Sequence, residues 1–161
     1  MPVTTIHSEH AMNKITPFLW FDHQAEEAAT FYVSIFNNSS ITQVMRAGDK
    51  VMGVNFVLEG QAFHSLNGGP HYSFTPAISL YVDCETQAEV DTLWSKLSAV
   101  PANERCGWLK DKYGLSWQII PCALPRLLQD PDRARANRVL QAMMQMKKID
   151  IDALQAAAQS S

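Results

Sequence analysis

Hydrophobic and polar positions alternate with two periods along this chain, and the two periods recur in the same order. An aromatic-rich run with partial two-residue alternation at 15–21 predicts a strand, and apolar residues at helical spacing after Asp22 predict an amphipathic helix. Three alternating runs then predict three more strands, at 41–46, 51–58 and 61–66. The segment Asn67-Gly68-Gly69-Pro70 ends this pattern, since glycine and proline mark breaks between elements. The first part of the chain therefore predicts a βαβββ unit.

The same order of elements begins again after the break. A strand is predicted at 77–82, a helix from Thr86, and a hairpin at 106–121 that turns at 111–114. Matching apolar stripes at a constant offset indicate an internal repeat. The short segment 100–106 predicts that the second copy has lost or shortened one strand. The stripes align Ala29, Tyr32, Val33 and Phe36 with Val90, Leu93, Trp94 and Leu97.

Polar residues and a change of period set the predicted boundaries. Asp22 and Asp83 follow the first strand of each copy and are predicted as helix N-caps. Beyond Pro121 the pattern is helical, with segments at 125–129, 132–146 and 150–158. We predict one domain over 13–161 after a loose arm at 1–12. Its parts are unit one at about 15–67, unit two at about 76–121 and a helical extension at 123–159.

Composition narrows the class of protein. The 161 residues include 47% hydrophobic and 18% charged residues, a balance typical of a globular domain. A net charge of -3 argues against nucleic-acid binding, which normally needs a basic surface. Three cysteines without CxxC spacing argue against a disulfide scaffold and predict a reducing compartment. The sequence shows neither a signal-peptide pattern nor an apolar run of the roughly 20 residues that a membrane span needs. We expect a cytoplasmic protein.

Four short motifs occur in order along the chain. They are Thr16-Pro17-Phe18-Leu19-Trp20-Phe21-Asp22, Leu66-Asn67-Gly68-Gly69-Pro70, Gly107-Trp108 and Ser116-Trp117-Gln118. With the repeat, they resemble the vicinal oxygen chelate superfamily of glyoxalases, bleomycin-resistance proteins and extradiol dioxygenases, and within it the PhnB-like branch labelled 3-demethylubiquinone-9 3-methyltransferase. The resemblance runs from about Ile15 to the end. It implies an α+β fold of paired βαβββ units, with each sheet curled around a cup and its helix on the convex side, and it implies a homodimer.

The resemblance also implies where a metal would bind. In metal-using relatives four ligands come from the first and last strands of the two units, which correspond here to Ile15, His64, Ala77 and Gln118. Only His64 is an ordinary metal ligand, because the Ile and Ala side chains have no donor atom and a neutral amide is a poor one. We therefore expect no metal and no other cofactor, with a divalent metal held weakly at His64 as the alternative.

His64 and Gln118 are the two candidate catalytic residues. An imidazole can act as general acid or base near neutral pH, and the alternative is a pocket-lining His64 that is hydrogen-bonded to a neighbour. The amide of Gln118 can both donate and accept, which suits the orientation of a carbonyl or carboxylate. Both residues follow the matched glycines Gly60 and Gly114 at the same spacing, so we expect them to face each other across a pocket.

Four further residues are candidate ligand contacts: Leu19, Ser79, Tyr81 and Trp108. Alternation places Ser79 and Tyr81 on one face of their strand, as a small polar cluster in an apolar cup. The alternatives are that Tyr81 packs against a cross-strand neighbour and that Trp108 belongs to the core. Trp20 and Trp117 are predicted on the helix side, in the core.

These observations predict a small-molecule-binding protein whose substrate the sequence does not specify. An enzyme that uses acid–base chemistry at His64 is left open. The alternatives are a metal-dependent lyase, isomerase or dioxygenase of the same superfamily, and a ligand-sequestering protein of the resistance type. Methyl transfer from S-adenosylmethionine is not predicted, because the strand-to-helix turns at Asp22 and Asp83 contain no glycine.

Overall fold

Unit 1 of the chain, which ends at His71, is a four-stranded sheet with one helix packed against it. The structure is a computed structural model that describes residues 13–160, so the predicted arm at 1–12 lies outside the described residues. The elements are β1 (Phe18–Phe21), α1 (Ala25–Ile35), β2 (Ser40–Ala47), β3 (Lys50–Leu58) and β4 (Gln61–Asn67). The strands lie in the order β1-β4-β3-β2, with β1 and β4 parallel and the other neighbours antiparallel. The predicted βαβββ unit is confirmed.

Small and aromatic side chains build the core of unit 1. Three alanines of α1 are fully buried, together with Tyr32 on the same stripe. Alanine has no side chain beyond Cβ, so the helix backbone can approach the sheet closely. The ring of Tyr32 lies 6.2 Å from that of Phe56 on β3, and Phe56 stacks on Phe63 of β4 at 5.2 Å. One face of the sheet is therefore covered by α1 through aromatic contacts.

Unit 2 begins at Tyr72 and has a shorter sheet. The elements of the repeat are β5 (Leu80–Cys84), α2 (Gln87–Leu97), β6 (Trp108–Lys110) and β7 (Ser116–Pro121). The strands lie in the order β5-β7-β6, with β5 and β7 parallel. At the chain position of β2, unit 2 has a 3₁₀ turn at Pro101–Asn103 and a single bridge between Arg105 and Trp108. The predicted loss of one strand is confirmed.

The aligned apolar stripes are confirmed, whereas both predicted helix caps are wrong. All four stripe residues of α2 are buried. Asp83 lies inside β5, and α2 is capped by Thr86, whose hydroxyl oxygen accepts from the backbone N–H of Glu89 at 3.2 Å. At α1 the N-cap residue makes no side-chain cap, and the N–H of Ala25 donates to Asn67 Oδ1 at 2.8 Å. A side chain from the end of β4 therefore replaces the local cap that Asp22 was expected to supply.

The C-terminal helices are an integral part of unit 2. They are α3 (Ala123–Leu128), α4 (Arg133–Met144) and α5 (Ile151–Gln159). The backbone N–H groups of Cys106 and Gly107 donate to the carbonyls of Met146 and Lys147, each at 2.8 Å. The helices share one core with the end of β7, formed by Ile120, Leu124, Val139, Ile149, Leu154 and Ala158. Between residues 13 and 160, none of the helices has the length and apolar character that crossing a membrane requires.

Replacing Leu154 by Ala is expected to lower the free energy of unfolding of unit 2 by about 3 kcal/mol, because Leu154 is fully buried and the change leaves a cavity. The matched control is Ile78→Ala, just before β5 in the same unit, where the side chain is 72% exposed, and it should cost less than about 1 kcal/mol. Urea unfolding followed by far-UV circular dichroism measures both. Equal losses in the two variants would show that the extension does not share the core of unit 2.

Candidate functional site

One residue from each strand of unit 1 forms a row across the face of the sheet opposite α1. We call Phe18, His64, Asn55 and Gln43 the unit-1 row; they are paired in register in the order β1, β4, β3 and β2. The rings of Phe18 and His64 lie edge to face at 6.0 Å. Asn55 Nδ2 donates to Gln43 Oε1 at 3.3 Å. His64 is exposed, so its imidazole is available to a ligand on this face.

The predicted roles of Leu19 and Trp20 are wrong, because β1 alternates in the opposite phase. Leu19 is 7% exposed and pairs with the buried Ser65, so burial on the α1 side is incompatible with the predicted ligand contact. Trp20 lies on the face of His64, half-buried, and its Nε1–H donates to the carbonyl of Gly69 at 3.0 Å. The sequence pattern did not show which residues of β1 face α1, since every residue of this strand is large and apolar.

The motif Leu66-Asn67-Gly68-Gly69-Pro70 has a structural role in unit 1. Besides accepting from Ala25, Asn67 donates through Nδ2 to the carbonyl of Val51 at 3.1 Å. A Cβ added to Gly68 would lie 2.2 Å from Trp20 Cζ2, so glycine is needed for this loop to cross the indole. The motif therefore anchors the start of α1 and covers Trp20, and its atoms are engaged within the unit.

The four candidates of unit 2 come together on one face of its sheet. Trp108, Gln118 and Tyr81 are paired in register on β6, β7 and β5, and we call them the unit-2 row. Gln118 Nε2 donates to the hydroxyl oxygen of Ser79 at 2.9 Å, which fixes the orientation of the amide. The opposite face is packed, and Trp117, 2% exposed, lies there as predicted, with Nε1–H donating to a carboxylate. The predicted approach of Gln118 to His64 of unit 1 stays a prediction.

Burial and charge determine which groups of unit 2 can ionise. Partial burial raises the pKa of the Tyr81 hydroxyl, and the carboxylate of Asp83 and the Cys84 side chain add to the effect. Tyr81 is thus a neutral hydrogen-bond donor around pH 7. Burial of Cys84, with the carboxylates of Glu89 and Asp83 nearby, raises the pKa of its thiol to about 12. A nucleophilic thiolate at Cys84 is therefore not expected at neutral pH.

The donor atoms around His64 do not suit a transition metal. Within residues 13–160, no group of three His, Cys, Asp or Glu side chains lies close enough together to hold a metal ion. The neighbours of His64 in the unit-1 row are an aromatic ring and the amide of Asn55, and amides are weak ligands for such metals. Ile15 and Ala77, at the implied ligand positions, precede β1 and β5.

The two rows are equivalent in the repeat. Each places a polar residue of the last strand, His64 or Gln118, beside an exposed aromatic residue of the first strand, Phe18 or Tyr81. Residues 13–120 match the family model described as 3-demethylubiquinone-9 3-methyltransferase. The chain belongs to this family. The predicted recognition is confirmed.

Two solved structures are similar to the chain. The PhnB protein of Bacillus cereus is 39% identical, with 68% of this chain and 100% of that chain covered, at a TM-score of 0.60. Protein PA1353 of Pseudomonas aeruginosa is 18% identical, with 68% of this chain and 97% of that chain covered, at a TM-score of 0.55, and shares the fold. No curated protein matches the chain. The family match ends before α3, so the extension lies outside it.

Sequence reasoning named His64 and all of the unit-2 row as candidates, whereas Phe18, Asn55 and Gln43 were not named and are placed beside His64 by the structure. Phe18 precedes Leu19 directly, and neighbouring residues of a strand lie on opposite faces. Phe18 would therefore have been placed beside His64 if Leu19 had been assigned to the buried face. Asn55 and Gln43 join the row through strand register, and a bulge between Ile41 and Gln43 shifts the register of β2 in a way that simple alternation does not show.

Proposed function

We propose that the chain binds a small, neutral or carbonyl-bearing organic molecule on the faces that carry the unit-1 and unit-2 rows. The observation that supports this most is the repeated pairing of a polar residue with an exposed aromatic one, as in Gln118 with Tyr81 and His64 with Phe18. A face intended only for packing would carry apolar side chains at these positions. A few polar groups among apolar walls are typical of ligand sites.

The chemistry proposed for Gln118 is orientation of the ligand. Its Nε2 group is held by Ser79, and among the described residues no donor reaches its Oε1 atom, which is left to accept from a ligand. Tyr81 adds a neutral hydroxyl donor, and Trp108 adds an aromatic wall on the other side. A flat ligand with both a donor and an acceptor fits this arrangement.

The chemistry proposed for His64 is proton transfer or hydrogen bonding at the unit-1 row. An exposed imidazole beside the ring of Phe18 can exchange a proton with a ligand without help from a second charged group.

We retain two alternatives for the whole chain. One is a metal-dependent lyase, isomerase or dioxygenase, and the other is a protein that sequesters its ligand without turnover.

Methyl transfer, which the family description names, is not our proposal for this chain. The connections 22–24 and 85–86 that lead into α1 and α2 contain no glycine. The first turns of both helices also have donors engaged by Asn67 and Thr86, where a cofactor carboxylate or ribose would otherwise bind. S-adenosylmethionine therefore serves as a probe that is expected not to bind.

Ligand binding is tested by titrating ¹⁵N-labelled protein with benzamide, acetophenone, phenol and S-adenosylmethionine. We expect an aromatic compound to shift the signals of the Gln118 amide and the Trp108 indole together. Gln118→Leu should weaken that binding about 10-fold, or about 1.4 kcal/mol, because the ligand loses its hydrogen-bond partner. Gln141→Leu, on the exposed surface of α4, is the matched control and should leave the affinity unchanged.

Failure of every aromatic compound to move either signal would overturn the proposal. Binding that disappears with EDTA and returns with added zinc or manganese would favour the metal-dependent alternative. For a compound that is also converted, His64→Ala should lower the rate by about 100-fold or more, as for other acid–base residues. Tight binding without conversion would identify the sequestering alternative.

We also propose a cytoplasmic homodimer. Cys84, Cys106 and Cys122 are free thiols, which supports a reducing compartment. The apolar side chains of Leu140 and Met144 on α4 are 37% and 52% exposed and are available to a second copy. Light scattering checks the dimer, and a mass of one chain would contradict it.

A further inference from the structure

We propose that the unit-1 row selects neutral carboxamides or lactams, read by the pair Asn55 and Gln43. This inference rests on the proposed function and names the ligand class for one of its two faces. The pair lies on the central strand β3 and the edge strand β2, beside His64. Three observations support it: the length of the row, the absence of charge around it, and the polarity of the amide pair.

The unit-1 row is long enough for a monocyclic ligand with one substituent. It crosses four strands with one side chain from each. Neighbouring strands are about 4.8 Å apart, so the row spans about 14 Å. Phe18 at one end offers a ring edge or face for an aromatic group, and 57% of its surface is exposed. The amide pair lies at the other end, with His64 between them.

The face around the row carries no fixed charge. Arg46 at the end of β2 is paired with Glu26 of α1 at 3.0 Å, so its charge is directed away from the row. An anion that left water for this face would lose hydration without gaining an opposite charge, which is unfavourable. Apart from His64, the face presents no ionisable side chain on β1, β4 or the middle of β3. The described residues there are Phe18, Trp20, Ala62, Leu66, Gly53, Asn55 and Val57.

The direction of one hydrogen bond fixes what the pair offers. Since Asn55 Nδ2 donates to Gln43 Oε1, the Oδ1 atom of Asn55 is left as an acceptor and the Nε2 group of Gln43 as a donor. A carboxamide or lactam has a carbonyl acceptor and an N–H donor side by side, so it satisfies both groups. A carboxylate offers acceptors alone, which would set its oxygen against Asn55 Oδ1. A ketone satisfies Gln43 and leaves Asn55 without a donor.

Benzamide and benzoate are the probes, because they have the same ring and differ in one polar group. We expect benzamide to bind at least 10-fold more tightly than benzoate, with the side-chain amide signals of Asn55 and Gln43 shifting in ¹⁵N spectra. Asn55→Leu and Gln43→Met should each remove most of this preference. Gln61→Leu is the control, because the Gln61 amide donates to the local carbonyl of Ala62 and does not join the row.

A further variant, Asn55→Asp, tests directly whether the Asn55–Gln43 pair recognises the polar group of the ligand. Asn55→Asp replaces an amide by a group that only accepts and is negatively charged, so preference should move from benzamide to the cation benzamidine. Thermal unfolding of each variant confirms that it is folded, and Gln43→Met on the exposed edge strand keeps the test valid if Asn55→Leu unfolds. Equal binding of benzamide and benzoate, or a preference that survives Gln43→Met, overturns this inference and leaves the proposed function standing. Absence of binding by any aromatic compound removes both.

Discussion

Asp111→Ala is expected to lower the free energy of unfolding of unit 2 by about 3–4 kcal/mol, because it leaves several buried donors without an acceptor. Asp111 is 1% exposed, and its Oδ1 atom accepts from the N–H groups of Tyr113 and Leu115 at 2.8 and 3.0 Å. Its Oδ2 atom accepts from Trp117 Nε1–H at 2.8 Å. One carboxylate thus holds the hairpin turn to the core tryptophan.

Urea unfolding with far-UV circular dichroism measures this effect. Asp49→Ala is the matched control, since Asp49 lies exposed in the β2–β3 turn and should change stability by no more than about 0.5 kcal/mol. Trp117→Phe removes the indole donor together with part of the buried ring, so its loss should combine one hydrogen bond with a cavity. If Asp111→Ala stays within about 1 kcal/mol of Asp49→Ala, the carboxylate does not organise the hairpin.

Gly107→Ala is expected to destabilise unit 2 by about 3 kcal/mol or more, from a strained backbone and from overpacking together. The φ angle of Gly107 is +84°, a left-handed conformation that disfavours a side chain. An added Cβ would also lie 2.6 Å from Ile120 Cδ1 and 3.1 Å from Ile149 Cγ1. Both isoleucines belong to the core shared with the extension. Because this core is closely packed, moving them to make room for the new methyl group should lower the free energy of unfolding.

Gly114→Ala separates the two causes. Its φ angle is +89°, but nothing lies within 4 Å of an added Cβ, so it should show the backbone cost alone, about 1–2 kcal/mol. Thermal and urea unfolding of both variants give the difference. Equal losses would mean that the space beside Gly107 is not tightly packed.

Prediction from sequence succeeded where the signal was periodic and local. The repeat, the stripe of α2 and the missing strand of unit 2 all followed from spacing along the chain. Within the unit-2 row, the pairing of Trp108 with Gln118 followed from the hairpin turn and Pro121, which fix the register of β7 against β6. The placement of Tyr81 beside Gln118 followed from the repeat, because these residues lie on the first and last strands of the second copy.

Prediction failed where the determining contact came from elsewhere in the chain. The start of α1 is capped by Asn67, 42 positions away, so the local candidate Asp22 was misleading. Along β1 the buried residues are Leu19 and Phe21, and four consecutive apolar residues carry no alternation in the sequence to show this phase. Gln43 lies beside Asn55 because a bulge between Ile41 and Gln43 shifts the register of β2 against β3, and strict alternation along β2 does not predict that shift.

The contacts between the hairpin of unit 2 and the extension have a consequence for synthesis on the ribosome. The N–H groups of Cys106 and Gly107 can form their hydrogen bonds only after Met146 and Lys147, which supply the carbonyls, have been synthesised. The side-chain oxygen of Gln87 likewise accepts from the N–H of Ile151, 64 positions later. All strands and the helix of unit 1 lie within its first 67 residues, so we expect it to fold while the remainder is still being translated. Unit 2 should complete its folding only after α5 has left the exit tunnel, which makes it the segment most in need of chaperone protection in the cell.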